Sequence, residues 1–498
     1  MRRRSPLAKP AHVFGREAEW RALGDFATRT TASAEHAMLG VVSGRRRMGK
    51  TYLLRALVAE LGGFYFGATA ATRGESLRSF GAALAAHAGA AAPYAFETWD
   101  DAITTLFGLA RADGRDRPLV VVIDEFPYLT KMAPELPSIV QREIDRYQQE
   151  PSRMRLLLCG SAMSVMGGLL AGHAPLRGRA QLELIVRPFP YREAARFWNV
   201  DGDPALATRL HAVVGGTPAY RRQFLNDDVP EGLGDFDDWV CRTVLSPFTP
   251  LFRESRYLLA EEMEIRDNAL YHSVLAAVAA GNTTRGGIAN YIGRKAVDIS
   301  HPLQVLEDSH LLAHEADVFR PGRAHYRITE PLINFYEAVM RPEWPLLEAG
   351  GAEEVWARSK ERFAAQVAGP HFEVICRDYT LREGRRLLGG SPGRVGCGLV
   401  YDPSTRSQTE IDVGVIEPGD GGSRQAVRLL GEVKWGTVMG AGHLDRLRRA
   451  RDVLAARGLE TGDCALACYS AAGFTDALRA ESEKDDVHLI GLSELYEE

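Results

Sequence analysis

Lysine is scarce in this chain: only seven of the 60 basic side chains are lysine (Lys9, Lys50, Lys131, Lys295, Lys360, Lys434 and Lys484), and the rest are arginine. Where arginine is so favoured, lysine is kept mainly where a compact ammonium is needed and a planar guanidinium does not fit. Cysteine is sparse too. The six (Cys159, Cys241, Cys376, Cys397, Cys464 and Cys468) show no paired CxxC spacing, which argues against a zinc site or disulfide framework and fits a reducing cytoplasm. Excess positive charge is lacking: the net charge of −5 rules out a broadly basic nucleic-acid coat and leaves any such contact to a local patch. Long apolar runs are missing as well. The longest uncharged stretch, LLLCGSAMSVMGGLLAGHA from Leu156, is broken by glycine, serine and His173, so it is expected to be strand, loop and helix and no membrane partner is expected. No apolar core follows the basic start MRRRSPLAKP, which is therefore expected to be a tail and not a secretory signal. No repeat of useful period is present.

What is present is ordinary globular sequence. With 498 residues, 45% of them hydrophobic, the chain has room for about three or four domains. In the first third, the apolar runs LGVVSG, PLVVVIDEF and RLLLCGS alternate with the helical pattern KTYLLRALVAELGG, the mark of a parallel sheet wrapped by helices. From VRPFPYREAARFW the pattern is helical to about Glu264. Residues 267–330 resemble three helices and a short hairpin turning at Pro321 and Gly322, and RPEWPLLEAGG is expected to be a linker. A second α/β unit begins near Glu353, with TEIDVGVIE, AVRLLGEVKW and DCALACYSA as strands.

GRRRMGKT (Gly44, Arg45, Arg46, Arg47, Met48, Gly49, Lys50 and Thr51) fits G-x-x-x-x-G-K-[ST] between an expected strand and an expected helix. Glycines there let successive backbone N–H groups curl around phosphates at a helix N-terminus. The motif predicts that Lys50 reaches the outer phosphates of ATP and that the Thr51 hydroxyl ligates Mg²⁺. The side chains of Arg45, Arg46 and Arg47 are expected to face solvent or a neighbouring domain. Asp124 and Glu125 close the apolar run PLVVVIDEF. Two carboxylates at a buried strand end need partners, and a nucleotide-bound metal and an attacking water would supply them, with Asp124 on Mg²⁺ and Glu125 polarising the water. Ser161 is placed to orient that water, or is a simple turn serine. Arg177 and Arg179, in APLRGRAQLEL, are candidates for an arginine finger on a neighbouring subunit's nucleotide.

FGREAEW, GRRRMGKT, VVVIDEF, LLLCGSAMSVM, APLRGR and VVGGTPAY follow in an order that resembles the archaeal-type prokaryotic ATPases, relatives of the AAA and signal-transduction ATPases. The resemblance runs on through LFRESRYLLAEEM and YRITEPLINFYEAVMRP into a C-terminal domain of the restriction-endonuclease-like type. It implies a P-loop ATPase core at 1–190, a helical lid at 191–266 that includes Gly215 to Pro218, a winged helix at 267–340, and a nuclease-like α/β domain at 350–498. It also implies that Arg16 lies near the adenine end of the nucleotide and that the chain forms a homo-oligomer in its ATP state. A winged helix can place a helix in the DNA major groove, with Arg285, Arg294, Lys295, Arg320 and Arg323 as phosphate contacts, or it can serve only as a packing spacer.

GEVKW accounts for one of the rare lysines. Strand side chains alternate, so Glu432 and Lys434 share one face and Val433 and Trp435 the other. Asp412, with Glu410 beside it, sits in the strand TEIDVGVIE. Asp412, Glu432 and Lys434 resemble the D…ExK core of PD-(D/E)xK nucleases, and Glu373 resembles the acidic residue of their first helix; Ile411 stands where those enzymes usually have proline. Two carboxylates suit Mg²⁺, and the ammonium suits an attacking water or a developing charge. Arg446, Arg448, Arg449 and Arg451 on the following helix form a basic strip suited to a DNA or RNA backbone. The expected protein is an α/β multidomain ATPase whose nucleotide state governs a nuclease-like domain. A non-cutting DNA clamp and an ATP-driven signalling scaffold are the alternatives.

Overall fold

The computed structural model describes residues 7–29, 36–112, 117–260, 268–320, 322–390, 393–417, 425–484 and 487–497. The first six residues of the expected tail, the end of the helical run at Glu264, the expected boundary at 267 and the turn residue Pro321 lie outside them. The chain divides into two compact units, Met1–Pro188 and Phe189–Glu498.

The first unit is built on five strands: β1 (Met38–Ser43), β2 (Phe64–Gly67), β3 (Leu119–Asp124), β4 (Met154–Gly160) and β5 (Ala180–Ile185). Their order is β2-β3-β4-β1-β5, and all four pairings are parallel. β3 and β4 are buried at every residue, because helices cover both faces of the sheet and each face needs an apolar side chain. Val121, Ile123, Leu156 and Leu158 face a core with Phe80, Trp99 and Phe107. Val120, Val122, Leu157 and Cys159 face one with Leu53, Leu54 and Leu57. The edge strand β5 alternates between half-buried and exposed residues, and its outward Glu183 is the kind of charge that discourages edge pairing.

In the second unit, helices Tyr191–Trp198, Pro204–Val214, Phe236–Arg242 and Pro250–Ala260 share one core with residues 332–368. RPEWPLLEAGG is therefore not a linker. It forms a 3-10 turn, Arg341–Glu343, and a helix, Trp344–Glu348, and its Leu347 is fully buried. Helices Asn268–Ala279, Arg285–Tyr291 and Ser300–Asp308 pack with an antiparallel hairpin, β6 (Leu312–Ala316) and β7 (Ala324–Ile328). A second sheet holds β8 (Arg394–Asp402), β9 (Ser407–Glu417), β10 (Ala426–Lys434), β11 (Ala465–Ser470) and β12 (Val487–Ile490). Its order is β12-β11-β10-β9-β8, antiparallel from β8 to β10 and parallel from β10 to β12. Helix Gly369–Leu388 lays Phe372, Ile375 and Tyr379 against Val413, Val415 and Leu429. Helix Ala441–Ala456 lays Leu444, Leu447 and Leu454 against Ile411, Leu430 and Leu466.

His211 Nδ1 lies 2.7 Å from His371 Nε2. Burial pushes His211 down to about 4 and His371 well below its ordinary value. A histidine whose folded pKa is depressed contributes stability above its unfolded pKa of about 6.5, and that stability is lost as pH falls towards the folded value. His371→Gln should therefore flatten the loss of stability between neutral pH and about pH 5 by roughly 1–2 kcal/mol, measured by urea melts of both proteins across that range.

Candidate functional site

The phosphate loop joins β1 to helix Lys50–Leu61. Gly44 has φ +150°, and a Cβ there would come 2.4 Å from the Val186 carbonyl oxygen, so no larger side chain fits. Gly49, in the left-handed region, caps the helix. The Lys50 ammonium donates to the carbonyls of Gly44 (2.5 Å) and Arg45 (2.7 Å) across the loop. It is 5% exposed, and burial lowers its pKa against the opposing pull of Cys159, Glu125 and Asp124. A buried ammonium satisfied only by carbonyls is a site prepared for an anion.

At the end of β3, Asp124 Oδ2 accepts from Thr51 Oγ1 and from Tyr65 Oη, each at 2.7 Å, and Oδ1 accepts from the Glu125 amide at 2.9 Å. Burial alone would raise this carboxyl, but its donors Cys159, Thr51, Tyr65 and the Glu125 amide outweigh it and hold Asp124 below the usual range. A hydroxyl and an ionised carboxylate side by side at the loop are the hard oxygen ligands that Mg²⁺ takes. Glu125 adopts the left-handed conformation, φ 52°, which costs a non-glycine residue about 1–2 kcal/mol and turns its carboxylate towards Ser161. The Ser161 hydroxyl bonds both Glu125 oxygens, at 3.2 and 3.1 Å.

The expected partners are differently disposed. Arg45 is buried, 8% exposed, and Arg46 donates to Tyr128 Oη at 2.7 Å, so neither side chain simply faces solvent: the tight loop turns them back onto the protein. Arg47 holds the loop's left-handed turn, φ 69°, beside Met48, which is buried. Arg16 bonds the Met48 carbonyl at 3.1 Å, the Arg187 carbonyl at 2.7 Å and Glu19 at 2.9 Å, bracing the outside of the loop. Arg179 is gripped by Asp145 through two bonds of 2.7 and 2.8 Å, and Arg177 donates to the Gly172 carbonyl. Sequence reasoning missed Tyr65 and Cys159, the other donors to Asp124; Tyr65 lies in a strand of four residues, too short to announce itself.

The second constellation lies in the C-terminal sheet. Gly431 pairs with Val413 across β10 and β9, which brings Asp412 beside the Glu432 segment, and Asp412 Oδ2 accepts from the Val433 amide at 2.7 Å. Lys434 Nζ is 3.2 Å from Glu432 Oε1. Burial, then the charge of Asp412, pushes Glu373 up to about 7. Burial raises Asp412 to about 6, against the Val433 amide and Lys434. Arg377, on the helix of Glu373, bonds the Asp412 carbonyl at 3.0 Å and lies 3.6 Å from Glu373. Arg446 ion-pairs with Glu432, and Arg448 pairs with Asp445 and Glu481, so half of the expected basic strip is already neutralised. Among the described residues, the one group of three metal-ligand side chains whose ligand atoms lie within 4.8 Å of one another is Glu315, His325 and Cys397. Glu373, Asp412 and Glu432 do not form such a group; Arg446 pairs with Glu432, Arg377 lies beside Glu373, and the Val433 amide donates to Asp412.

Residues 14–207 match a family described as an ATPase domain predominantly from Archaea. An uncharacterized protein of Methanocaldococcus jannaschii is 27% identical over 350 residues, covering 68% of this chain and 72% of that protein. Among solved structures, the chain is similar to the Walker-type ATPase of Pyrococcus abyssi, at TM-score 0.49 and 19% identity over 67% of this chain and 98% of that one. It is also similar to the ORC2 protein of Aeropyrum pernix, at TM-score 0.41 and 13% identity over 72% of this chain and 96% of that one. With the loop geometry above, the family match makes residues 14–207 a P-loop ATPase domain. It stops at residue 207, so a nuclease-like reading of the C-terminal unit rests on that unit's own residues. Among the described residues no helix is long and apolar enough to cross a membrane.

Proposed function

We propose that the chain is an ATP-hydrolysing switch whose nucleotide state governs a metal-dependent nucleic-acid-cutting site at Asp412, Glu432 and Lys434. The observation that carries the reading is the grouping of Lys434, Glu432 and Asp412 at one strand crossing, with the raised carboxyl of Glu373 facing Asp412. Carboxyls that resist ionisation beside one another gain most from a hard cation.

In the ATPase domain, Lys50 would meet the outer phosphates, and Thr51 and Asp124 would hold Mg²⁺, whose charge would neutralise the phosphoryl oxygens. Glu125 polarises the attacking water, and Ser161 fixes its carboxylate. Arg179 serves a neighbouring subunit's nucleotide in a homo-oligomer, which requires it to leave Asp145. Mixing Lys50→Ala with Arg179→Ala chains should then restore part of the ATPase activity that each lacks alone, read by phosphate release. Folded, assembled mixtures that stay inactive would remove the finger.

In the C-terminal unit, with residues 350–498 as a PD-(D/E)xK-like domain and residues 267–340 as a winged helix beside it, an incoming phosphate competes with Glu432 for Arg446. With Arg446 released, Glu432, Asp412 and Glu373 would be the residues to hold a metal ion, which would supply an activated water, and Lys434 would orient that water. One observation favours a second reading. Glu432 is held by both Arg446 and Lys434, as it would be in a domain that binds DNA without cutting. Incubating the full chain with labelled single- and double-stranded DNA and RNA, with Mg²⁺ or Mn²⁺ and with or without ATP, separates the two. Cleavage supports the first reading, and retention without cleavage supports the second.

A further inference from the structure

Glu315, His325 and Cys397 come from three different strands, β6, β7 and β8, and no spacing in the sequence links them. Glu315 sits directly opposite His325 in the β6–β7 register. Cys397 falls at the register shift between Gly396 and Gly398 in β8, a bulge, and bulges re-aim side chains. The backbone fixes the frame: the Val318 amide donates to the Cys397 carbonyl at 3.1 Å, and the Leu399 amide to Asp317 Oδ2 at 3.1 Å.

Within that frame, His325 Nε2 is 3.3 Å from Cys397 Sγ and 3.2 Å from Glu315 Oε2. One ring nitrogen therefore faces both the sulfur and the carboxylate. A thiol–imidazole–carboxylate nucleophile would instead use the two ring nitrogens separately, one for the thiol and one for the acid. Convergence on one nitrogen is what a shared ion produces. Zinc bonds of ~2.3 Å to sulfur and ~2.0 Å to nitrogen or oxygen, set tetrahedrally, place neighbouring ligand atoms about 3.3–3.6 Å apart. Glu315 is oriented from behind: Arg327 bonds its Oε1 at 2.8 and 2.6 Å and leaves Oε2 turned to the cluster, as partners of metal ligands commonly do.

We propose that Glu315, His325 and Cys397 bind one Zn²⁺-class ion that clamps the β6–β7 hairpin to the edge strand of the C-terminal sheet. One thiolate, one imidazole and one carboxylate select a borderline transition ion over the all-oxygen cations Mg²⁺ and Ca²⁺. Three protein ligands leave a fourth position for water or an outside ligand. The clamp stands independently of ATP hydrolysis and of cutting at Asp412.

Cobalt is the probe. The full chain, stripped with a chelator and kept reduced without added thiol, is titrated with Co²⁺. The site predicts a thiolate-to-cobalt charge-transfer band that saturates at one equivalent and disappears when Zn²⁺ is added. Cys397→Ser should lose the band, and His325→Gln should weaken Co²⁺ binding by about 10-fold or more. Zn²⁺ should raise the melting temperature of the wild type and of neither variant. Should Cys397→Ser fail to fold, His325→Gln, with folding checked by circular dichroism, decides. No thiolate band in the wild type, or a band that persists at full strength in both folded variants, overturns the site.

Discussion

Lys50→Ala should abolish tight ATP binding. The ammonium is buried beside the Gly44 and Arg45 carbonyls, at the point where the loop would receive the outer phosphates. Charge-assisted hydrogen bonds are worth about 1.5–3 kcal/mol each, and losing those to two phosphate oxygens predicts a loss of affinity of about 100-fold or more. Glu125→Gln should behave in the opposite way. It leaves Lys50, Thr51 and Asp124 untouched, so binding stays within a few-fold of wild type, while hydrolysis falls by about 10²–10⁴, the usual contribution of a general base. Isothermal titration with ATP and a phosphate-release assay read the two effects apart. Equal hydrolysis by Glu125→Gln and wild type would remove Glu125 from the water.

Cleavage should be lost in Asp412→Ala, in Glu432→Ala and in Lys434→Arg, for different reasons. On the proposed reading the first two remove metal ligands, so Mg²⁺ or Mn²⁺ binding should go with them. Lys434→Arg keeps the charge and the metal but replaces a compact ammonium with a planar fork that does not fit beside a reacting water. A loss of about 100-fold or more in cutting with metal binding intact is expected, within the range for a positioned acid–base group. Were Lys434, itself partly exposed, only a partner of the buried Glu432 at 3.2 Å, arginine would serve as well and stability would change by less than about 1 kcal/mol. Metal titration and a cleavage time course on each variant separate these cases.

How much of this was legible in the sequence depends on how local each feature is. The phosphate loop is eight contiguous residues, and its glycines, lysine and threonine declare the backbone they need. β3 and β4 are unbroken apolar runs because both of their faces are covered. β2 has only four residues, and β5 alternates because it lies at an edge, so neither stood out. RPEWPLLEAGG reads as a linker from its prolines and glycines, yet its prolines sit at the first turns of short helices, where proline is tolerated, and not in a loop. The D…ExK pattern is readable because strand alternation is local, but the guanidinium on Glu432 is not, because Arg446 lies on a separate helix; nor is the pair of Arg179 with Asp145, which spans 34 residues. The Glu315–His325–Cys397 cluster lies beyond the cysteine count for the same reason. Cys397 and His325 are 72 residues apart, so the lack of CxxC spacing spoke only against a zinc site built within one loop.

The central claim is that nucleotide state controls the C-terminal site, and the most direct test is the cleavage rate of labelled nucleic acid by three full-length proteins in Mg²⁺ and ATP: wild type, Lys50→Ala, which stays empty, and Glu125→Gln, which stays ATP-bound. Coupling predicts that Lys50→Ala and Glu125→Gln cut at rates about 10-fold or more apart, a difference of about 1.4 kcal/mol in the barrier, with wild type between them. Equal rates in all three, with cutting still lost in Asp412→Ala, would contradict it.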